Sequence, residues 1–354
     1  MLTKESTKLL NFIDKKTNTN IGLKKDIREL FNFFDSIDYE TKINSVSDIS
    51  NSYSSTTIDS PFVSETIKKE INEFNNIKEI NFSTNKSTIT LNIYYSNEDI
   101  TKFLNTIIHA ICFMFNLSIH SVRSCTINFY LSNFTKYLDP NKNYFNEEFN
   151  ENEVNSGSAS SDTINIWRKE EILKVTIHEC MHLLNYDDKM NDNLLKKYYR
   201  DRYNVTSNSM NIYEAYTEVW AELINAYFTS KFYKASKTLF AKFIEYEKYF
   251  SNIQSQKIFF YKNLNENNDL NKHTNIVPYY IIKCEIFNNL SKFLNHCKKN
   301  NINYVKIKED FNDFLYEETE KCMKKKGFFK GIDKNSYIFS TMRMSSIELE
   351  LFKH

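Results

Sequence analysis

Residues 178–182 read His178-Glu179-Cys180-Met181-His182. Four residues of α-helix advance by about 400°, so the two imidazoles stand one turn apart on one face, roughly 6 Å apart along the axis. Side chains so placed can grip one tetrahedral divalent cation. Glu179 is rotated about 100° from His178, close enough to take a proton from a water on that cation without being a ligand. The chemistry implied is hydrolysis by a metal-activated water with Glu179 as general base. With 7 His in 354 residues, and all 45 acidic residues counted as Glu, chance would produce roughly 0.02 such strings. The competing reading is two histidines and a glutamate on an ordinary amphipathic helix.

A catalytic metal of this kind needs a third protein ligand and leaves its fourth position to water. Two candidates exist. Glu214 lies in Tyr213-Glu214-Ala215-Tyr216-Thr217-Glu218, a helical segment 32 positions after His182. Glu218 falls one turn further on the same face, where a carboxylate can accept the free ring N–H of a ligand histidine and fix its tautomer. The other candidate is Asp188, because His182-Leu183-Leu184-Asn185-Tyr186-Asp187-Asp188 carries a turn residue and then a donor after the second His. Asn185 would supply the left-handed backbone that glycine usually provides.

HExxH followed by a helix reading Glu-x-x-x-Glu resembles the gluzincin group of zinc metallopeptidases, the thermolysin-like and aminopeptidase-like enzymes. The resemblance covers two short helices. It implies one zinc ion held by His178, His182 and Glu214, with Glu179 as base and Glu218 behind a ligand histidine. The gap between the motifs is longer than in thermolysin-like enzymes, so Glu218 stays open as the ligand in place of Glu214. The Asp188 alternative is similar to the metzincin extension, with Ser209-Met210 and Tyr213 as its Met-turn, although that pattern prefers His as third ligand and leaves the Glu214 helix unexplained. The strand-to-helix phrase and the Tyr-Glu-Ala-Tyr-Thr-Glu helix also resemble predicted metallopeptidases of large DNA viruses.

Zinc held by two neutral imidazoles and one carboxylate lowers the pKa of a bound water to about 7, which makes a nucleophile available at neutral pH. The oxyanion then needs a further donor. Gluzincin-like enzymes draw a His, Tyr or Arg from the C-terminal part, and His273, Tyr337 and Arg343 are the residues available here. The resemblance also implies that an extended peptide or protein substrate adds as a strand to the open edge beside the active helix, within Ser158–Trp167. Gly157, one of 4 glycines, stands just before that segment and would permit close backbone approach; a flexible loop end is the plainer role for it.

These side chains need a scaffold. Ile164-Asn165-Ile166-Trp167 alternates as a short strand, and Ile172, Leu173, Val175 and Ile177 open the motif helix, which should break near 185–188. Upstream, strands are expected at 77–83, 88–95 and 125–131, with a helix at 98–115 and a long polar loop at 139–161. Downstream, helices are expected at 212–228, 231–250, 254–264 and 278–298, where Tyr279, Ile282, Ile286 and Leu290 form an apolar stripe of the core type. The expected fold class is α+β and zincin-like: a small mixed sheet lobe, the HExxH helix and a mainly helical C-terminal lobe. Residues 1–75 form a helical N-terminal extension with a Ser/Thr-rich linker at 44–60, residues 76–210 the sheet lobe, and residues 211–354 the helical lobe.

With 41% hydrophobic residues the chain can bury a sizeable core, and 46 basic against 45 acidic residues, mixed along the length, give no reason to expect a nucleic-acid partner. The 6 cysteines have no paired spacing and read as reduced thiols. Cys180 stands about 200° around the helix from His178, away from a metal. The amino terminus lacks an apolar signal region, and the apolar run 107–119 is too short to span a bilayer. A cytoplasmic protein is expected; if the resemblance to viral proteins holds, the host cytoplasm or the virion. Three readings remain distinct: an active zinc peptidase, a non-catalytic zinc-binding protein that has no use for Glu179, and a metal-free helical interaction protein.

Overall fold

Along Thr88–Tyr95, Ile89, Leu91 and Ile93 point to one side and are fully buried, while Thr90 and Asn92 face the other way and keep partial exposure. A two-residue period of this kind makes a half-buried strand. In the computed structural model, which describes residues 1–17, 23–39, 41–50, 58, 60, 62–120, 122–187, 192–233, 237–262, 270, 273–308 and 311–352, it is the third of six strands. They are β1 (Lys42–Ser50), β2 (Asn76–Ser83), β3 (Thr88–Tyr95), β4 (Ser124–Tyr130), β5 (Gly157–Ser160) and β6 (Thr163–Ile166). Their spatial order is β1-β2-β3-β4-β6-β5. β1, β2 and β3 are antiparallel neighbours, β3, β4 and β6 run parallel, and β5 folds back antiparallel onto β6 as the far edge. The fold is α+β, with a mixed sheet.

Two apolar helices fill one face of this sheet. Thr101–Leu117 buries ten of its residues, and Ile172–Leu183 buries all but His182. Such all-round burial suits a helix with neighbours on every side. The motif helix starts sharply at Glu171, which adopts a left-handed φ of 58°. A non-glycine residue there is strained and needs support. The support is ionic: Glu171 Oε2 lies 2.7 Å from Lys136 Nζ, and Oε1 accepts the backbone N–H groups of Met344 and Ser345. Burial works to raise the Glu171 pKa, but Lys136, Lys174 and Arg343 overcome it and hold the group down to about 2. The C-terminal segment is thereby tied to the base of the motif helix.

Helix Tyr213–Phe232 packs along the motif helix, and Lys237–Tyr261 packs on it in turn. The long helix is continuous, where two helices at 231–250 and 254–264 were expected. Helices Lys4–Lys16 and Lys25–Asp35 bury Leu9, Ile13, Leu30 and Phe34 in the same hydrophobic core as the C-terminal helices. Residues 44–50 of the expected linker at 44–60 instead belong to strand β1, hydrogen-bonded to β2, because a Ser-rich stretch that also carries Ile43 and Val46 suits an exposed edge as well as a loop. The expected loop at 139–161 contains a helical turn, Glu151–Val154, and β5. Among the described residues no helix is long and apolar enough to cross a membrane.

Candidate metal centre

The HExxH turn occupies the C-terminal part of the motif helix, Ile172–Leu183, where all of its residues but His182 are buried. His178 Nε2 and His182 Nε2 are 3.0 Å apart, and Glu214 Oε2 from the neighbouring helix lies 3.3 Å from the first and 3.2 Å from the second. Among the described residues this is the group of three able to hold a metal ion. Each ligand atom has a partner behind it. Asp187 Oδ2 is 2.8 Å from His182 Nδ1, and Glu218 Oε1 is 2.7 Å from His178 Nδ1, a short contact that is bent away from the ring N–H axis. Asn211 Nδ2 donates to Glu214 Oε1 at 3.1 Å. A carboxylate at Nδ1 of each histidine places Nε2 as the atom that faces its neighbours and Glu214.

Three ligand atoms about 2.0–2.1 Å from one tetrahedral zinc would lie about 3.3 Å apart. The observed separations match that figure, and two ring nitrogens with one carboxylate oxygen are donors that suit zinc. Of Glu214 and Glu218, the alternatives open from sequence, Glu214 is the one with a carboxylate oxygen within 3.3 Å of both ring nitrogens. Glu218 serves behind His178, where Lys174 Nζ holds it at 2.7 Å with both side chains almost wholly buried. Asp188 lies outside the described residues. Asn185 does adopt the left-handed backbone expected of it, with φ 53°, and the turn it makes carries Asp187 back to His182.

The titrating groups share one field. Burial works to lower the pKa of both histidines, but Glu218 acting on His178 and Glu214 acting on His182 prevail and raise them. Glu214 and Glu218 are lowered despite burial, Glu214 chiefly by His182 and Glu218 chiefly by Lys174. For Glu179 burial wins, and its pKa is raised. A raised carboxyl close to a lowered pair separates base from ligand by environment.

The site opens on a cleft of about 840 Å³ lined by the motif residues, by 156–161 from the sheet edge, and by Ser209, His273, Thr274 and Tyr279 from the helical side. Gly157 is the close-approach residue: a Cβ there would lie 2.6 Å from Glu179 Oε1 and 2.9 Å from Val175 Cγ1. Of the three expected oxyanion donors, only His273 reaches the cleft. Arg343 is fully buried, 3.1 Å from Glu348 Oε2 and bonded to Ser6 Oγ, and it anchors the C-terminal segment. Burial pushes the Tyr337 hydroxyl up to about 12, with Arg343 and Glu170 beside it acting in opposite directions. Neither lines the cleft: Arg343 is spent on the buried acid Glu348, and Tyr337 lies beside it.

Tyr279 was placed in an apolar core stripe, and the structure corrects this. It sits in a π-helical turn, Val277–Ile282, with its ring centroid 6.2 Å from that of His178 and its hydroxyl bonded to Asn275. Burial, Glu214, Glu218 and Glu179 all push its pKa well up, so it is a hydrogen-bond donor. The wider π turn shifts the register of the stripe, sending Tyr280 to the Met342 carbonyl and Tyr279 to the cleft. Pro278, which cannot donate to a helical ladder, was the signal available in the sequence. Asp187 and Asn211 were also missed; Asp187, next to a named candidate, was within reach.

Comparison with known proteins adds one distant relative. The chain is 26% identical over 267 residues to the uncharacterized protein R210 of Acanthamoeba polyphaga mimivirus, covering 65% of this chain and 67% of that protein. No family model matches, and no solved structure matches.

Proposed function

We propose that this chain is a zinc-dependent peptidase of zincin-like architecture, with one metal ion on His178, His182 and Glu214. The observation that carries the reading is the convergence of three ligand atoms to 3.0–3.3 Å of one another, with a carboxylate behind each histidine. The ion, when bound, supplies Lewis acidity toward a carbonyl oxygen and lowers the pKa of a coordinated water to about 7. Glu179 takes the proton of the attacking water and returns it to the leaving amine; its raised pKa brings it closer to neutrality, where a general base works best. Tyr279 donates a hydrogen bond to the developing oxyanion, with His273 on the same wall. An extended peptide pairs with the outer edge of β5, whose small side chains leave the backbone open. Six cysteines without a disulfide suit a reducing compartment, and the cytoplasm is the site of action we infer.

The test is elemental analysis and peptide-library cleavage on the full chain and two variants. Wild type should carry close to one zinc per chain and cleave peptides. Glu179→Gln should keep the zinc and lose cleavage by about 10²–10⁴-fold. His178→Ala should lose the zinc. Undiminished cleavage by Glu179→Gln overturns the reading, as does a wild-type chain that takes up no metal; zinc without cleavage in wild type points to a non-catalytic metal protein.

A further inference from the structure

Four of the six cysteines, Cys112, Cys125, Cys180 and Cys297, are buried in the core. Cys284 and Cys322 are different. Their Sγ atoms lie 3.2 Å apart, with Cys322 S–H donating to Cys284 Sγ. Two sulfurs in ordinary packing contact sit further apart, and a disulfide requires about 2.05 Å. The pair needs an approach of little more than 1 Å. Polar groups surround both sulfurs: Asn288 Nδ2 lies 3.5 Å from Cys284 Sγ and 3.8 Å from Cys322 Sγ, and Cys284 donates to Asn252 Oδ1 at 3.6 Å. Asn252 and Asn288 also bond each other. A structural thiol asks only for apolar neighbours; a thiol meant to ionise or exchange needs donors around it.

The segments carrying the two thiols explain what a bond between them would do. Cys284 is in helix Lys283–Asn288, which continues directly from the π turn bearing Tyr279. Cys322 is in an irregular stretch after helix Phe311–Glu317, held largely by side chains: its N–H donates to Tyr203 Oη, Arg202 donates to the Thr319 carbonyl, and Gln256 bonds Met323 and Lys325. No ladder of backbone bonds secures this stretch to the helix.

We propose that Cys284 and Cys322 are a reversible dithiol–disulfide pair, oxidised by a hydroperoxide, that staples the 318–326 segment to the helix behind the cleft. Hydrogen bonds from Cys322 and Ser255 draw the Cys284 pKa down against burial, which makes Cys284 the attacking sulfur. Its thiolate breaks the O–O bond of hydrogen peroxide and becomes a sulfenic acid, and the departing hydroxide takes up a proton to leave as water. The Cys322 sulfur, losing its proton, then attacks the Cys284 sulfur and expels a second water. Two thiols lose two electrons in all, and one peroxide is reduced to two waters. The closed loop spans 38 positions, long enough for a crosslink to restrict the unfolded chain appreciably.

The experiment treats the native full chain with graded hydrogen peroxide, alkylates all remaining thiols under denaturing conditions, and maps the digest by mass spectrometry. The expected product is a Cys284–Cys322 crosslinked peptide, two hydrogens lighter than its parts, formed at a peroxide dose that leaves the four other cysteines alkylatable. The melting temperature should rise by roughly 5 °C and fall back on reduction. Cys322→Ser and Cys284→Ser should each abolish both effects. If Cys284 and Cys322 stay separately alkylatable at doses that oxidise any other cysteine, or if either links elsewhere, the proposal fails. Wild-type mapping decides the matter even if a serine variant does not fold.

Discussion

Gly157 and Glu179 are in contact across the sheet edge and the motif helix, with no room for a methyl group between them: a Cβ on Gly157 would lie 2.6 Å from Glu179 Oε1 and 2.9 Å from its Cγ. Gly157→Ala must therefore displace either the base or the edge strand. Zinc content should stay the same while kcat falls at least 10-fold, because the ligands are untouched and a displaced base loses its reach. Overpacking should also lower stability by about 1–3 kcal/mol. Unchanged kcat in a folded variant would show that Glu179 does not need this placement.

Tyr279→Phe removes one hydroxyl that faces the cleft near His178. If that group meets the oxyanion, kcat should drop by about 10²–10³-fold with little change in KM. His273→Ala, on the same wall, should then have the smaller effect. The reverse order would make His273 the donor.

Asp187→Asn removes the charge behind His182 while keeping the shape. Zinc affinity, measured by chelator competition, should weaken by about 10–100-fold. A variant that binds zinc as wild type does would show that His182 needs no anionic partner.

On the proposed function, zinc and protons compete for the same nitrogens. In the metal-free chain burial lowers the pKa of His178 and His182, but Glu218 and Glu214 raise both above the ordinary 6.5. A histidine raised in the folded state stabilises it fully below its unfolded pKa, and that contribution is lost as pH rises through the folded value. The metal-free chain should therefore lose stability going up through this window. Zinc needs neutral imidazoles, so the melting-temperature gain it gives should be small near about pH 5 and large near about pH 8. A zinc-induced shift of equal size across that range would mean the histidines are not the ligands.

Much of the sheet was legible because its signal is local. Ile89, Leu91 and Ile93 alternate within one strand, and β3 was expected at its observed bounds. β1 was not, since an exposed edge strand of Ser, Asn and Asp carries no apolar period and is recognised only by the β2 partner it pairs with. The continuous helix Lys237–Tyr261 was divided in two, with the gap at Ser251, Asn252 and Ile253, because two polar residues interrupt the pattern there. In the fold Ser251 is buried and Asn252 bonds Asn288 of the neighbouring helix, so neither breaks the helix.

By itself the sequence placed His178, Glu179 and His182 on a single helical turn whatever the chain does elsewhere, the spacing on which the proposed metal chemistry rests. It could name Glu214, Glu218 and Asp188 as third-ligand candidates but not choose, because that depends on how a second helix is rotated against the first. Packing made that choice. Tertiary structure alone brought Glu214 Oε2 to the histidines, turned Glu218 to Lys174 and His178, buried Arg343 among distant acids and swung Tyr279 out of its stripe into the cleft. A distance between residues far apart in sequence is set by the burial of everything between them, and no local pattern carries it.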